Sequence, residues 1–437
     1  MHCDTLIRNG TILTDAATPL IEDGFVAIAG KEIIALGPLA ELPPALAPRT
    51  VIDASRRLVM PGLINCHTHA AMTLFRGLAD DLPLMRWLND HIFPAEAAHV
   101  SEKMVYNCSL LAAAEMLLSG TTTVADGYFY EEMAAQAYAD IGIRAVAAQG
   151  IIDFPAPGVP DPKRNIETAE RFLRKWQVNN KRITPALFCH SPYTCSDQTL
   201  SKAKELSESL GAPLFIHLAE TKAEVEQVRQ ATGMTPGRYL ESLGLLGEAT
   251  ICVHSVHLDE EELELLASTR TKVATCPESN MKLASGCARL PVMLALGIPV
   301  GLGTDGCASN NDLDLFGEMD SCAKLHKLVS DEPTAVTANQ VLAMATTNGA
   351  EVLGQASRIG SLAPGKKADI ILLDLWQPHL TPFYGKDLLV YAGRGADVTD
   401  VFVDGRQLVA GRQLITIDLE KVMADVRQRS TLLKRAL

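Results

Sequence analysis

The sequence has no long apolar run and no paired cysteine motif. No apolar stretch reaches the roughly 18 residues that a membrane-spanning helix needs, so none is predicted. The N-terminus lacks a basic segment followed by an apolar stretch, which argues against a signal peptide. Ten cysteines occur without a Cys-x-x-Cys pair, so we expect neither a disulfide framework nor a cysteine zinc site. Free thiols are typical of a reducing compartment, and we expect a cytoplasmic protein.

Positive charge is also scarce. The chain has 39 Lys and Arg against 52 Asp and Glu, a formal net charge of −13. Binding to a phosphate backbone needs clustered Lys and Arg, so nucleic acid is not expected as a partner, nor is a membrane surface. The acidic balance is typical of a soluble protein. The sequence leaves open whether the chain forms a homo-oligomer.

The middle of the chain differs from its two ends. Residues 1–58 and the residues from about 361 consist of short strand-like segments broken by glycine and proline, as in Thr5–Gly10 and Ala368–Asp374. Between them, short apolar strands alternate with helical stretches such as Ser101–Ser119. The predicted strands of the middle are 58–67, 121–126, 144–150, 184–190, 213–219, 250–255, 272–277 and 299–305.

Eight strand-and-helix units within about 300 residues favour an α/β fold of the (β/α)₈ TIM-barrel type over a doubly wound sheet. The strands are nearly continuous apolar runs, as expected for a parallel sheet that is buried on both faces. We predict that this barrel spans residues 59–360. The two ends, 1–58 and 361–437, are predicted to pair into one composite β-sandwich domain.

Polar residues that can bind metals follow several of these strands. His67 and His69 close the first strand, and alternate residues of a strand share one face. Active sites of such barrels lie at the carboxyl ends of the strands, so the residues at those ends should converge. The other residues at strand ends are His190, His217 with Glu220 just beyond, His254 and Asp305.

Imidazole and carboxylate donors suit a divalent metal. Zn²⁺ is the default, with Fe²⁺ or Mn²⁺ as alternatives. Such an ion lowers the pKa of a bound water and supplies hydroxide near neutral pH. Three histidines and one aspartate would fill the protein positions of the first coordination shell and leave one for water. Glu220 and His254 are additional to that shell and are the candidates for general acid and base.

The motifs resemble those of the metal-dependent amidohydrolase superfamily. The resemblance rests on His67-Thr-His69, His217-Leu-Ala-Glu220, His254 and Gly303-Thr-Asp305-Gly, and it covers the whole chain. Three longer segments, Phe75–Leu82, Cys276–Gly286 and Thr304–Leu313, closely resemble the 5′-methylthioadenosine/S-adenosylhomocysteine deaminase family.

This resemblance implies a role for each matching residue. His67, His69, His217 and Asp305 would hold the metal, and an activated water would attack purine C6. Glu220 would donate a proton to N1. His254 would orient the water. Asp305 would take the water's proton and pass it to the departing ammonia.

The resemblance also implies contacts to a purine nucleoside. Glu96 matches the position that binds ribose hydroxyls, and His190 matches a second substrate contact. Trp87 is expected near the nucleoside, and Gln149, near the end of the third strand, is expected among the substrate contacts. A two-metal site in this superfamily needs a lysine at the end of strand 4. His190 stands there instead, so we expect one metal.

One segment departs from the family pattern. Relatives that take S-adenosylhomocysteine can hold its carboxylate with arginines near the end of strand 3, whereas here Ile151–Pro155 follows with no arginine. A charge-assisted, bidentate contact would therefore be missing. The apolar segment Phe154–Pro157 suits a methylthio group, so we expect 5′-methylthioadenosine, with adenosine or S-adenosylhomocysteine as lesser candidates.

Two alternatives stay open from sequence. Another amidohydrolase, such as a guanine, cytosine or pterin deaminase or a triazine hydrolase, would share the same metal ligands. The segment 276–286 and Glu96 favour a nucleoside over these. A non-catalytic scaffold on the same barrel is the second alternative, because a barrel does not dictate function. Such a scaffold would be expected to lack a metal ligand or the acid, whereas this sequence has all of the expected ligands and the acid.

Overall fold

A computed structural model describes residues 2–436. The strands form two sheets. One is a parallel sheet from the middle of the chain, and the other is built from the two ends of the chain. The strands are β1 His2–Ile12, β2 Ile21–Ala29, β3 Glu32–Pro38, β4 Ala47–Asp53, β5 Arg57–Pro61, β6 Leu63–Thr68, β7 Thr121–Tyr128, β8 Arg144–Ile151, β9 Ile183–Cys189, β10 Leu214–Leu218, β11 Thr250–His254, β12 Lys272–Thr275, β13 Val300–Leu302, β14 Ile370–Asp374, β15 Val398–Val403, β16 Arg406–Ala410 and β17 Gln413–Leu414.

The predicted barrel is confirmed. Strands β6 to β13 lie side by side in chain order, and their pairings are parallel. The last unit returns to the first: the amide of Asp305 donates to the carbonyl of His67 over 3.0 Å. Gly303 makes this approach feasible, because a Cβ there would lie 2.9 Å from the His67 backbone nitrogen and oxygen. The first and last strand ends are thereby held together.

The chain termini form the second sheet, as expected. Its nine strands run in the order β17-β16-β15-β14-β5-β1-β2-β3, with β4 on β1. One predicted strand, 58–67, is in fact two. Arg57–Pro61 pairs with β14 and β1 in the terminal sheet, while Leu63–Thr68 opens the barrel. The division into 1–58 plus 361–437 and 59–360 stays a prediction, and this pairing moves strand β5 to the terminal side.

Helices follow the barrel strands and cover the outside of the barrel. The predicted helix Ser101–Ser119 is α3, which Ser101 caps and which ends before Gly120 at φ +91°. No helix of residues 2–436 is long and apolar enough to cross a bilayer. The helices are α1 Leu84–Trp87, α2 Phe93–His99, α3 Glu102–Leu118, α4 Glu131–Ile141, α5 Asn165–Asn179, α6 Asp197–Leu210, α7 Lys222–Thr232, α8 Pro236–Ser242, α9 Glu260–Ser268, α10 Pro277–Lys282, α11 Leu290–Ala295, α12 Leu315–Ser330, α13 Ala338–Met344, α14 Thr347–Val352, α15 Asp387–Ala392 and α16 Leu419–Ala436.

A buried ion cluster connects the barrel to the terminal sheet. Arg144, the first residue of β8, is fully buried and donates to both carboxylate oxygens of Asp369, at 2.7 and 3.0 Å. It also donates to Asp404 at 2.5 Å. Burial of three charges is costly unless they are paired, so this cluster holds the two sheets in one relative position.

Candidate active site

The residues predicted from the strand ends converge at one cavity of about 390 Å³. Its size is in the range of small-molecule sites. His69, His190, His217, His254 and Asp305 contribute to its wall. These residues lie at or just beyond the carboxyl ends of strands β6, β9, β10, β11 and β13. The parallel order of the barrel strands therefore brings them together, as the sequence indicated.

Four histidines and an aspartate form a compact donor cluster. Donor atoms of His67, His69 and His217 lie within 4.8 Å of one another, as do those of His67, His254 and Asp305. Oδ1 of Asp305 is 3.5 Å from Nε2 of His67 and 3.4 Å from Nε2 of His69. The spacing leaves room for one ion among the donors.

Burial sets the charge of these groups. It lowers the pKa of His67 to about 4 and the pKa of His217 well below its usual range, so both imidazoles are neutral near pH 7. Burial alone would raise the pKa of Asp305, but its contacts with His67 and the nearby His69 and His254 hold it well below the ordinary value. Neutral imidazoles beside a carboxylate are the protonation states that metal ligation requires.

Two nitrogen atoms show that the cluster is suited to a metal. Nδ1 of His69 lies 2.6 Å from the carbonyl of Gly127, which fixes that nitrogen as the donor and leaves Nε2 free to ligate. Nε2 of His67 is buried and makes no hydrogen bond to any described residue. A buried polar atom without a partner is rare, and a bound ion would satisfy it.

Glu220 and His254 face each other beside this cluster. Oε2 of Glu220 is 3.8 Å from Nε2 of His254. His254 and Asp305 have left-handed backbones, with φ of +66° and +60°. Such conformations cost free energy in residues other than glycine, and strained residues tend to cluster at active sites.

The segment Cys276–Gly286 supports the predicted catalytic residues. Ser279 donates to Oδ2 of Asp305 over 2.7 Å, Asn280 Oδ1 lies 3.0 Å from Nδ1 of His254, and Ser285 donates to Glu220 over 3.1 Å. At the level of sequence, this segment stood out only because it resembles a segment of a deaminase family. Its position directly after strand β12 was the signal that it reaches the site.

Glu224 is a second residue whose contribution the sequence did not indicate. Its carboxylate accepts the amides of Ala219 and Glu220, at 2.9 and 2.7 Å. Burial raises the pKa of Glu224 to about 7. The two amide contacts fix the backbone on which Glu220 is carried.

The predicted substrate contacts are only partly brought together. Glu96 and Trp87, from the helical segment before α3, line the cavity with His190. Gln149 lies outside the set of residues that line the cavity, and its amide donates to the carbonyl of Gly150. Tyr128, which the sequence did not single out, ends strand β7 and donates to Glu96 over 2.5 Å.

The outer wall of the cavity is apolar. Leu88, Ile92, Phe93 and Ile152 line it together with Phe154–Pro157. Among the described residues that line the cavity there is no lysine or arginine, while its acidic members are Glu96, Glu220, Glu224 and Asp305. The cavity therefore offers no cationic partner for an anionic group.

Comparison with known proteins places the chain in a family. Residues 58–408 match the model of the amidohydrolase family. The chain belongs to the amidohydrolase family. This confirms the resemblance seen in the sequence, and amidohydrolases are metal-dependent.

Two curated relatives and one solved structure match nearly the whole amidohydrolase. A 5-methylthioadenosine/S-adenosylhomocysteine deaminase of Syntrophobacter fumaroxidans is 47% identical over 98% of this chain and 97% of its own length. A 5′-deoxyadenosine deaminase of Methanosarcina acetivorans is 44% identical, covering 97% of each chain. The crystal structure of an adenosine deaminase from Xanthomonas campestris with bound zinc is 37% identical and covers 99% of each chain, with a TM-score of 0.97.

Proposed function

We propose that this amidohydrolase deaminates adenosine-type nucleosides, with 5′-methylthioadenosine as the preferred substrate and 5′-methylthioinosine and ammonia as products. One observation carries the proposal: a single cavity joins the histidine and aspartate cluster to an apolar wall without lysine or arginine. The curated relatives, a 5-methylthioadenosine/S-adenosylhomocysteine deaminase and a 5′-deoxyadenosine deaminase, support the broader class of adenosine-type nucleosides.

We propose His67, His69, His217 and Asp305 as the ligands of one divalent ion, with zinc preferred. The neutral imidazoles of His67 and His217, and the buried Nε2 of His67 that makes no hydrogen bond, support this set. The zinc in the related adenosine deaminase supports the choice of ion. When bound, such an ion acidifies water and so makes a nucleophile available near neutral pH.

The surrounding residues would move the protons. Glu220 donates one to purine N1 as the attacking water adds to C6. His254 orients that water through Nε2, because its Nδ1 is committed to Asn280. Asp305 takes one proton of the water and passes it to the departing ammonia. The second proton leaves the C6 hydroxyl for Glu220 as the C6 carbonyl forms, which restores the acid. Each of these groups lines the same cavity, which makes transfer over short distances feasible.

Substrate orientation would come from the opposite side of the cavity. Glu96 accepts hydrogen bonds from the ribose hydroxyls. The hydroxyl of Tyr128 donates to the Glu96 carboxylate and holds it in place. His190 supplies a second contact, and Trp87 packs beside the nucleoside. The 5′ methylthio group would lie against Phe154 and its neighbours. S-adenosylhomocysteine carries a carboxylate in that direction, for which the cavity has no charge-assisted donor.

The partner is then a small nucleoside. The acidic cavity and the net charge of −13 are unfavourable for nucleic acid. The ten cysteines are unpaired, which supports a cytoplasmic location.

A substrate panel tests the proposal. Zinc-loaded protein is assayed by ultraviolet absorbance and ammonia release with 5′-methylthioadenosine, 5′-deoxyadenosine, adenosine, S-adenosylhomocysteine, guanine, cytosine and a chlorotriazine. We expect the highest kcat/KM for 5′-methylthioadenosine and loss of activity after chelation. Equal values for 5′-methylthioadenosine and S-adenosylhomocysteine would refute the preference. Activity on free bases or the triazine alone would refute the nucleoside assignment.

A further inference from the structure

A second groove continues from the outer end of the cavity. It shares Leu88, Phe93, Phe154 and Tyr193 with the cavity wall. The rings of Phe93 and Phe154 lie edge to face, 6.2 Å between centroids, at this junction. Beyond them the groove is lined by Asn89, Asp153, Thr194, Cys195, Ser196 and Gln227.

We propose that this groove binds the end of a longer 5′ substituent and selects for positive charge. The ligand class is a 5′-thioadenosine whose alkyl chain ends in an ammonium group. This rests on the proposed function, because the groove opens from the apolar wall assigned to the 5′ methylthio group. The reaction at C6 is unchanged, and only the range of substrates is extended.

The charges that line the groove support this selection. Asp153 is the one ionisable acid among its lining residues, and no lysine or arginine lines it within the described chain. The cavity behind it is lined by Glu96, Glu220, Glu224 and Asp305, and no lysine or arginine lines it. The negative charge of Asp153 therefore favours a cation over an anion within the groove.

The N-terminus of helix α6 also reaches the groove, and a free helix N-terminus would attract an anion. Its amides, however, are already occupied. Ser196 N donates to Asp153 over 2.6 Å, Gln198 N to Asp197 over 2.7 Å, and Thr199 N to the Ser196 hydroxyl over 3.3 Å. A carboxylate would have to displace these contacts. The carboxylate of Asp153 already occupies the place that such a ligand would take.

Three substrates of matched length test the selection. They are 5′-thioadenosines with a propyl, a 3-aminopropyl and a 2-carboxyethyl substituent, compared by kcat/KM with 5′-methylthioadenosine as the reference. Partly exposed charge pairs contribute little, so we expect the amine to exceed the carboxylate by roughly three- to tenfold, with the propyl compound between them. The ratio should shrink at high ionic strength, because salt screens the contact.

Two variants separate the groove from a general charge effect. In Asp153→Asn the amine-to-carboxylate ratio should fall toward one, while the amide oxygen can still accept from Ser196. Asp197→Asn removes the same charge from an exposed neighbour outside the groove lining and should leave the ratio unchanged. Thermal melts report whether each variant folds. If Asp153→Asn does not fold, the salt dependence of the unmodified enzyme decides.

Each outcome has one reading. A ratio of one or less in the unmodified enzyme, or a ratio that Asp153→Asn or salt leaves unchanged, overturns the groove assignment. That failure is distinct from failure of the proposed function, in which 5′-methylthioadenosine itself would not be deaminated.

Discussion

Asn280 Oδ1 lies 3.0 Å from Nδ1 of His254, so the amide oxygen determines which ring nitrogen faces the cavity. An amide oxygen can only accept, and Nδ1 must therefore carry the proton. Nε2 is left as an acceptor on the side of Glu220. The orientation of a water held by His254 thus depends on a residue 26 positions further along the chain.

Replacement of Asn280 by leucine should lower kcat. The ring of His254 would lose its fixed tautomer, and the loss of such a supporting contact typically costs about 10- to 100-fold. Metal content, measured by elemental analysis, should stay close to that of the unmodified enzyme. Asn280→Asp keeps an acceptor of the same shape and is the control. An unchanged kcat in the leucine variant would show that Asn280 does not position His254.

Replacement of Glu220 by glutamine should separate metal binding from proton transfer. The amide cannot donate a carboxylic proton to N1, and removal of a general acid typically costs about 10²- to 10⁴-fold in rate. We expect bound metal to be retained. Turnover of 5′-methylthioadenosine is the measurement.

Asp305→Ala is the contrasting variant for that experiment. It should lose metal and activity together, because Asp305 is proposed both as ligand and as proton carrier. Full activity in Glu220→Gln would exclude Glu220 as the acid.

Glu96 should make substrate binding depend on pH. Burial raises the pKa of Glu96 to about 7, so its ionised fraction rises as pH increases from 6 to 8. The ionised form is the stronger acceptor for ribose hydroxyls, so KM should fall over this range. In Glu96→Gln, KM should be about 10- to 100-fold higher, and its dependence on pH near 7 should disappear.

Two controls isolate this effect. A 2′,3′-dideoxy analogue lacks the hydroxyls and should show no such change in KM. The hydroxyl of Tyr128 opposes the rise in the pKa of Glu96, so Tyr128→Phe should move the inflection to higher pH. An inflection that Glu96→Gln leaves in place would assign it to another group.

Replacement of Arg144 by methionine should destabilise the fold. Asp369 would be left buried without its cation, and Asp404 would keep only the 3.6 Å contact with Lys31. Breaking a buried ion pair in this way costs about 3–5 kcal/mol. Chemical denaturation measures the loss. The triple variant Arg144→Met, Asp369→Asn, Asp404→Asn removes the uncompensated charge and should recover part of it. No loss in the single variant would show that the cluster does not stabilise the fold.

The sequence predicted the barrel and the residues at its strand ends because both depend on local pattern. Buried parallel strands are continuous apolar runs, and a histidine that ends such a run must lie near the other strand ends. His67, His217 and Asp305 could therefore be predicted to converge although they are far apart in the chain.

The supporting contacts could not be predicted in this way. Ser279 reaches Asp305 and Tyr128 reaches Glu96 through loop and helix positions that periodicity does not determine. The split of 58–67 was missed for a related reason. Both halves are apolar, and nothing in the pattern shows where an extended chain leaves one sheet for another.

Only Gly62 separates strand β5 of the terminal sheet from strand β6 of the barrel. A connection of one residue is too short to act as a hinge. His67 lies in the short strand β6 that follows it. A chimaera that exchanges the terminal sheet for that of another amidohydrolase must therefore keep the register of Arg57–Pro61 on β14. A slip of one residue there would turn alternate side chains to the opposite face and carry His67 out of line with Asp305.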